Sequence, residues 1–255
     1  MKTILLRQKQ IPNFRIDASS LSLAKLSAFS DKEIASLPMG QDGQCIDDWF
    51  EVQCTDSDQS VLRMEGDFAN FDRIGASHER GLIVVVGSVG NGLGCSMSGG
   101  EIIVEGSAGN AVAGAVDGQR KGMTGGRIEI AGDAGNQVGY RMRRGEVFVA
   151  GNAGHFLASH MLAGTIVAVG QFGTNVGYGM RRGTVILSKS PNLSSPRFSE
   201  PIKSELTWLS LVKNPSHQMT RELMQDIAAN RGQDVVSRRG DGAVGGQGEI
   251  ISRSL

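Results

Sequence analysis

The stretch RIEIAGDAGNQVGYRMRRG, residues 127–145, contains in 19 positions the pattern that decides the fold of this chain. It opens with alternating apolar residues, places two glycines three positions apart, and closes on a further glycine. Six versions of this phrase follow one another between Val61 and Gly183. Four are 19 residues long, and the other two carry insertions of two and seven residues. Self-similarity at such a period is typical of repeat proteins, in which each unit buries its apolar face only against its neighbours.

The spacing within a repeat predicts strands rather than helices. Ile128 and Ile130, like Val147 and Val149 one repeat later, lie two positions apart, which is the period of a strand. Nineteen residues leave no room for a helix and two connections, and each interior glycine would destabilise a helix by about 1 kcal/mol relative to alanine. We therefore predict an all-β fold, a right-handed parallel β-helix solenoid of about six to seven coils with three short strands per coil. Mixed α/β terminal segments are expected to cap it, because open strand edges would recruit other chains.

Three further positions recur at matching places in the repeats. One is filled by leucine or valine, at Leu93, Val112, Val138, Leu157 and Val176. A second is filled by methionine, at Met97, Met123, Met142, Met161 and Met180. A third is filled by asparagine, at Asn70, Asn91, Asn110 and Asn136. We expect the apolar columns to line the interior, and we interpret the asparagines as structural, because stacked amides hydrogen-bond between neighbouring repeats.

The chain is expected to have three parts. We predict an N-terminal cap over residues 1–60, the repeat domain over residues 61–190, and a C-terminal part over residues 191–255. Within the N-terminal cap, Ser30 and Glu33 have the spacing of a capping box and predict the start of a helix.

The C-terminal part is predicted to contain a linker, one helix and a flexible tail. The helix should run from an N-cap at Ser216 to a stop at Gly232. Its apolar stripe is expected at Met219, Leu223 and Ile227. The glycine-rich stretch 240–248 is expected to form the tail.

Composition excludes several classes of protein. The formal net charge is +0, which gives no overall attraction to nucleic acid. We find neither an apolar run of membrane-spanning length nor a signal-peptide pattern, so we expect a cytoplasmic protein without membrane contact. Cys45, Cys54 and Cys95 form no CxxC pair, which argues against a disulfide framework and against a zinc knuckle.

No motif for chemistry stands out. There is no phosphate-binding loop and no nucleophile elbow, and the four histidines are interpreted as polar groups of corners and caps. We therefore assign no catalytic residue and no metal ligand, and the chain is not expected to be catalytic by itself. Glu105 and Glu129 lie on neighbouring repeats, which leaves a carbohydrate-active enzyme open as an alternative.

Two surface features exceed what the fold requires. Outward positions of the opening strands are apolar and form what we call the apolar wall: Val84, Val86, Ile103, Phe148, Val167 and Val169. Such a wall must be covered either by terminal helices of this chain or by another subunit. Basic residues gather in repeats three, four and six and form what we call the basic cluster: Arg120, Lys121, Arg141, Arg143, Arg144, Arg181 and Arg182. Arginines can bind the carboxylates of an extended polyanion or a neighbouring subunit in bidentate fashion.

The repeats resemble a known family. The strings GSAGN at 106–110 and GDAGN at 132–136, with YRMRRG and YGMRRG ending at Gly145 and Gly183, are similar to the C-type subunits of formylmethanofuran dehydrogenase. They are also similar to the C-terminal domain of the glutamate synthase large subunit. The N-terminal stretches SDKEIASLPM, residues 30–39, and DDWFEV, residues 47–52, resemble the C-type subunits, so the likeness extends over nearly the whole chain.

This resemblance implies a non-catalytic scaffold subunit. In the bacterial formyltransferase/hydrolase complex, a formyl group passes from formyl-tetrahydromethanopterin to a methanofuran-type carrier and is hydrolysed to formate during formaldehyde oxidation. The implied partners are formyltransferase, metal-dependent hydrolase and dehydrogenase-like subunits in a hetero-oligomer, and metals and any pterin belong to them. No prosthetic group is expected on this chain, although its basic cluster is expected to contact the polyglutamyl arm of the carrier or a neighbouring subunit.

Three alternatives to the bacterial complex stay open. The C-type subunit of an archaeal formylmethanofuran dehydrogenase is one, although 20% charged residues, with arginine outnumbering lysine, favour the bacterial type. A stand-alone glutamate synthase module is the second, and the carbohydrate-active enzyme is the third. The partners that copurify with the chain distinguish the first two, and activity of the isolated chain distinguishes the third.

Overall fold

The computed structural model describes residues 1–40, 43–193, 196–203, 215–229 and 235–253. Its regular structure is mostly strand, because the repeats place short apolar stretches between glycines. The strands are β1 (Lys2–Gln8), β2 (Ile16–Asp17), β3 (Phe50–Asp56), β4 (Val61–Glu65), β5 (Phe71–Asp72), β6 (Leu82–Val86), β7 (Glu101–Val104), β8 (Arg127–Ile130), β9 (Glu146–Val149), β10 (Thr165–Ala168), β11 (Thr184–Leu187), β12 (Ile202–Lys203), β13 (Val235–Gly240) and β14 (Gly248–Arg253).

Helices are short and lie near the two ends of the chain. They are α1 (Leu23–Leu26), α2 (Asp31–Ala35), α3 (Ile46–Trp49) and α4 (Gln218–Ala229), with a 3₁₀ turn at Gly242–Val244. The predicted capping box is confirmed at α2, where the backbone N–H of Ser30 donates to Glu33 Oε2 at 2.7 Å. Helix α4 begins two residues after the predicted N-cap, and the predicted stop at Gly232 lies outside the described residues. No helix within the described ranges is long and apolar enough to cross a membrane.

One 12-stranded sheet organises the molecule, in the order β12-β13-β14-β11-β10-β9-β8-β7-β6-β4-β1-β3. Each repeat adds one strand, and the pairing from β1 through β4 and β6 to β11 and on to β14 is parallel. Antiparallel pairs close both ends, β1 with β3 at one and β14 with β13 and β12 at the other. A separate two-stranded sheet joins β2 and β5.

The predicted right-handed parallel β-helix with three strands per repeat, capped by mixed α/β segments, is wrong. The chain forms a 12-stranded, mostly parallel sheet, in which each repeat contributes a single strand of four or five residues. The first repeat also contains β5 of the small sheet, and the rest of the later repeats consists of turns and single bridges, such as Val89 with Ala108 and Ala134 with Ala153. Glycines recur there every few positions and several other residues have left-handed backbone, which ends a strand after one bridge.

Register between the strands brings equivalent side chains together. Ile102, Ile128 and Val147 lie opposite one another on β7, β8 and β9, and all three are fully buried. The methionine column and the leucine or valine column are buried as predicted. His78 stands at the end of the methionine column, in the place that Met97 takes one repeat later, and is itself buried. The core therefore lies between the sheet and the turn segments of the repeats.

The asparagine column forms hydrogen bonds from side chain to backbone. Asn91 Oδ1 accepts from the backbone N–H of Asn110 at 2.9 Å, and Asn110 Oδ1 accepts from that of Asn136 at 2.8 Å. Asn136 Oδ1 continues the series to the backbone N–H of His155, whose Nδ1 accepts from that of Thr174. The amides therefore bond to the main chain of the next repeat rather than to one another.

The glycine-rich stretch 240–248 differs from the flexible tail that the sequence predicted. It ends β13, forms the 3₁₀ turn and begins β14, which pairs in parallel with β11. The buried carboxylate of Asp241 fixes it, because Oδ2 accepts from the backbone N–H of Gly179 at 2.9 Å and Oδ1 accepts from that of Ala243 at 2.9 Å. The proposed division of the chain at residues 60 and 190 stays a prediction.

Candidate functional site

Two arginine pairs of the basic cluster project from the same columns two repeats apart. The backbone N–H of Arg143 donates to Met123 O, and that of Arg181 donates to Met161 O, so Leu162 occupies the intervening position. Two inter-strand steps place the pairs about 10 Å apart. Arg143, Arg144, Arg181 and Arg182 are exposed, and none of their guanidinium groups forms an ion pair or hydrogen bond within the described part of the chain. Within the described residues, four arginines without an ionic partner thus lie on either side of Leu162.

The rest of the basic cluster belongs to a second group around the seven-residue insertion. Arg120 and Lys121 are exposed there. Arg141 reaches the insertion, because its Nη1 donates to Gln119 O at 3.3 Å, and its guanidinium lies 5.1 Å from the centre of the Tyr140 ring. The structure therefore joins Arg141 to the insertion and leaves the two arginine pairs as a separate site.

The apolar wall is divided into a covered and an uncovered half. Phe148 and Val167 are buried in an apolar cluster with Leu223, Met224 and Ile227 of α4. Val84, Val86 and Ile103 stay partly exposed. Of the two covers that the sequence left open, the chain's own helix α4 therefore applies to the later strands, and the earlier strands stay partly exposed.

Buried Glu129 lies at the boundary between these halves. Its Oε2 accepts from the backbone N–H of Ser216 at 2.7 Å and of His217 at 3.3 Å, which fixes the start of α4. Its Oε1 accepts from Arg127 Nε at 2.7 Å. These bonds give Glu129 a structural role, and they oppose its use as half of a catalytic carboxylate pair with the exposed Glu105.

Comparison with known proteins identifies the family. The profile described as "GXGXG motif" matches residues 72–238, which is more than half of the chain. The chain belongs to the GXGXG family. No curated protein sequence matches this GXGXG protein significantly.

A solved structure adds a full-length relative of this GXGXG protein. It is described as an X-ray crystal structure of the formyltransferase/hydrolase complex (FhcABCD) from Methylorubrum extorquens in complex with methylofuran. One of its chains is 32% identical, with a TM-score of 0.78, and the match covers 98% of this chain and 100% of that chain. Membership among the C-type subunits of such complexes, predicted from the sequence, is thereby confirmed.

Two titratable side chains in the interior of this GXGXG protein, Cys95 and His78, are shifted towards their neutral forms. Burial raises the pKa of the Cys95 thiol to about 11. Burial also lowers the pKa of His78, whose Nε2 lies 3.1 Å from Gly81 O. Among the described residues, no three His, Cys, Asp or Glu side chains gather as a metal site would require. The interior thus offers packing rather than reactive groups.

Sequence reasoning missed an exposed strip of four rings on the turns of repeats four to six. Tyr140 and His160 have ring centres 5.9 Å apart, His160 and Tyr178 5.7 Å, and Phe156 and Tyr178 6.2 Å. Tyr140 and Tyr178 share one position of the repeat, whereas His160 and Phe156 lie at two other positions, so the four rings do not form a single column in the sequence. Phe156 could have signalled the strip, because a large aromatic ring there replaces the small or polar residues of other repeats.

Proposed function

We propose that this chain is the C-type subunit of a formyltransferase/hydrolase complex, in which it holds the catalytic subunits together and contacts their methanofuran-type carrier. The observation that carries this proposal is the full-length match at 32% identity to a chain of the FhcABCD complex. Formyl transfer and hydrolysis would belong to the partner subunits, whose metals this chain would not bind. The reaction served is the conversion of formyl-tetrahydromethanopterin to formate through the formylated carrier.

Purification of the native assembly tests the proposal. A tag on this chain should copurify a formyltransferase subunit and a metal-dependent hydrolase subunit in stable proportion. Copurification of an amidotransferase or a flavin subunit would instead indicate a glutamate synthase module. Hydrolysis of polysaccharide by the isolated chain would also contradict the proposal.

The uncovered half of the apolar wall supports a scaffold role. Apolar side chains on consecutive strands form a contiguous surface that a partner subunit would bury. The substitution Ile103→Lys should lower the yield of assembled complex at least tenfold while the isolated chain remains folded. Arg63→Lys, at the half-exposed position two strands earlier, serves as the control and should leave assembly unchanged.

The two arginine pairs are proposed to hold the acidic arm of the carrier. Their four guanidinium groups lack partners among the described residues, and the roughly 10 Å separation suits an extended chain of carboxylates. The double variant Arg143→Glu/Arg181→Glu should raise the KM for carrier while leaving the complex assembled. The variant Lys25→Glu/Arg80→Glu changes the same charge at exposed positions distant in sequence and should leave KM unchanged.

A further inference from the structure

Four exposed or half-exposed rings, which we call the aromatic strip, run across the turns of three successive repeats. The strip consists of Tyr140, His160, Tyr178 and Phe156, and each neighbouring pair meets edge to face. Phe156 and Tyr178 remain 37% and 39% exposed. A contiguous exposed aromatic surface of this kind is uncommon on a monomeric protein, because burying aromatic rings away from water lowers the free energy.

Folding does not explain the ring at Phe156. Its backbone is left-handed, with φ of 60°, which disfavours a bulky side chain. The equivalent position in the next repeat is Asn175, with φ of 62°, and in the third repeat it is Ala111, with φ of 60°. Smaller residues thus adopt the same backbone conformation at this position. The ring is therefore not needed for folding, and we interpret it as a contact for another molecule.

Two depressions flank the Phe156–Tyr178 pair and can receive side chains. One, of about 380 Å³, is lined by Asn136, Gln137 and His155 beside Phe156. The other, of about 240 Å³, is lined by Tyr178 together with Asn175 and Phe198. Aromatic residues set between small depressions are typical of the energetic centre of a protein interface.

The charge around the strip is positive. The Arg141 guanidinium lies 5.1 Å from the Tyr140 ring centre, and that of Arg197 lies 4.3 Å from the Tyr178 ring centre. Asp241 neutralises Arg197, so Arg141 supplies the positive charge beside the strip. An occupant of this surface must therefore bring carboxylates, together with apolar or aromatic groups that pack on the rings.

We propose that the aromatic strip is a docking surface for an acidic, aromatic-containing segment of a partner subunit of the complex. This inference rests on the proposed function, because it takes its occupant from the same assembly. It differs from the contact at the apolar wall, which lies on the outer face of the sheet, whereas the strip lies on the turn segments. A scaffold with two such surfaces can bind two different partners at once.

The test replaces each exposed ring by the residue of a neighbouring repeat. Phe156→Asn introduces the residue found at 175, and Tyr178→Ser introduces the residue found at the equivalent position 159. The wild-type chain and the double variant are each added to the partner subunits purified without this chain, and Kd is measured. Loss of the two rings should raise Kd about 30-fold. Ala111→Asn, in the same column as Phe156 but outside the strip, is the control and should leave Kd unchanged.

Each outcome separates the two proposals. Failure of the wild-type chain to bind any partner subunit would contradict the proposed function itself. Binding of wild type and double variant with equal Kd, both folded by circular dichroism, would overturn only the docking surface. A hexaglutamate peptide that binds the wild-type chain and loses affinity for the double variant would also overturn it, since the strip would then serve a free polyanion.

Discussion

The outer face of the sheet differs between its early and late strands although the same repeat builds both. On the late strands, Phe148 and Val167 are buried beneath α4, while Val84 and Ile103 on the early strands remain partly exposed. The repeat therefore encodes the inner face, where apolar residues, mostly isoleucine and valine, recur in every unit. Whether the outer face is covered depends on residues that do not recur from repeat to repeat, such as Glu129 and the apolar residues of α4.

Glu129 is the residue that marks this difference. It stands between Ile103 and Phe148 in the outer column of the sheet, and its bonds to Ser216 and His217 fix where α4 begins. A buried carboxylate on a sheet face is costly unless its bonds are satisfied, and here Arg127 and two backbone N–H groups satisfy them. The covered half thus depends on one polar anchor within an apolar surface.

The largest expected effect comes from removing that anchor. Glu129→Ala removes the carboxylate that lies 2.7 Å from the buried guanidinium of Arg127 and frees the start of α4. We expect the free energy of unfolding to fall by about 3 kcal/mol. Urea denaturation measures it, and Glu105→Ala on the neighbouring strand is the control, with a change within about 0.5 kcal/mol. Equal losses for both variants would refute the role of Glu129.

A second comparison sets the two halves of the apolar surface against each other. Ile227→Ala on α4 removes a fully packed side chain and should cost the isolated chain about 2–3 kcal/mol of stability. Ile103→Ala, on the partly exposed half, removes less buried area and should cost about 1 kcal/mol. Denaturation of the isolated chain measures both. Similar losses would show that α4 packs on the sheet no more tightly than solvent-facing side chains do.

The sequence predicts the buried inner face of the sheet, but it does not predict the conformation of the turn segments that pack against this face. Alternation at Ile128 and Ile130 placed a strand in each repeat, and the methionine column was correctly assigned to the core. The sequence predicts strands in the turn segments as well, because nineteen residues leave no room for a helix, and nothing at Gln137 or Phe156 indicates their left-handed backbone.

Of the candidate surfaces, likewise, one could be predicted from the sequence and two could not. The arginine pairs repeat along the chain, so their alignment followed from the period alone. Covering of Phe148 by α4 depends on contacts between residues far apart in sequence, such as Glu129 with Ser216. In the aromatic strip, Tyr140 and Tyr178 share one position of the repeat, but only the folded chain brings His160 and Phe156 next to them.

The pH dependence of stability should differ between the two ends of the methionine column. The early end is His78, and because burial lowers its pKa in the folded chain, the unfolded chain binds the proton more readily. Its contribution is complete above the unfolded pKa of about 6.5 and is lost as the pH falls towards the lower folded value. His78→Met should flatten the dependence of the melting temperature on pH below about pH 6.5. Parallel wild-type and variant profiles would contradict this assignment.

The smallest expected effect lies in the late half of the asparagine column, where His155 replaces the amide. His155 Nδ1 accepts from the backbone N–H of Thr174 at 3.0 Å, as Asn110 Oδ1 does for the next repeat. His155→Asn should preserve this bond and leave the free energy of unfolding within about 0.5 kcal/mol of wild type. His155→Ala removes the acceptor and should cost about 1 kcal/mol. If both variants lose the same stability, the column contributes no bond energy at this position, and its early and late halves are not equivalent.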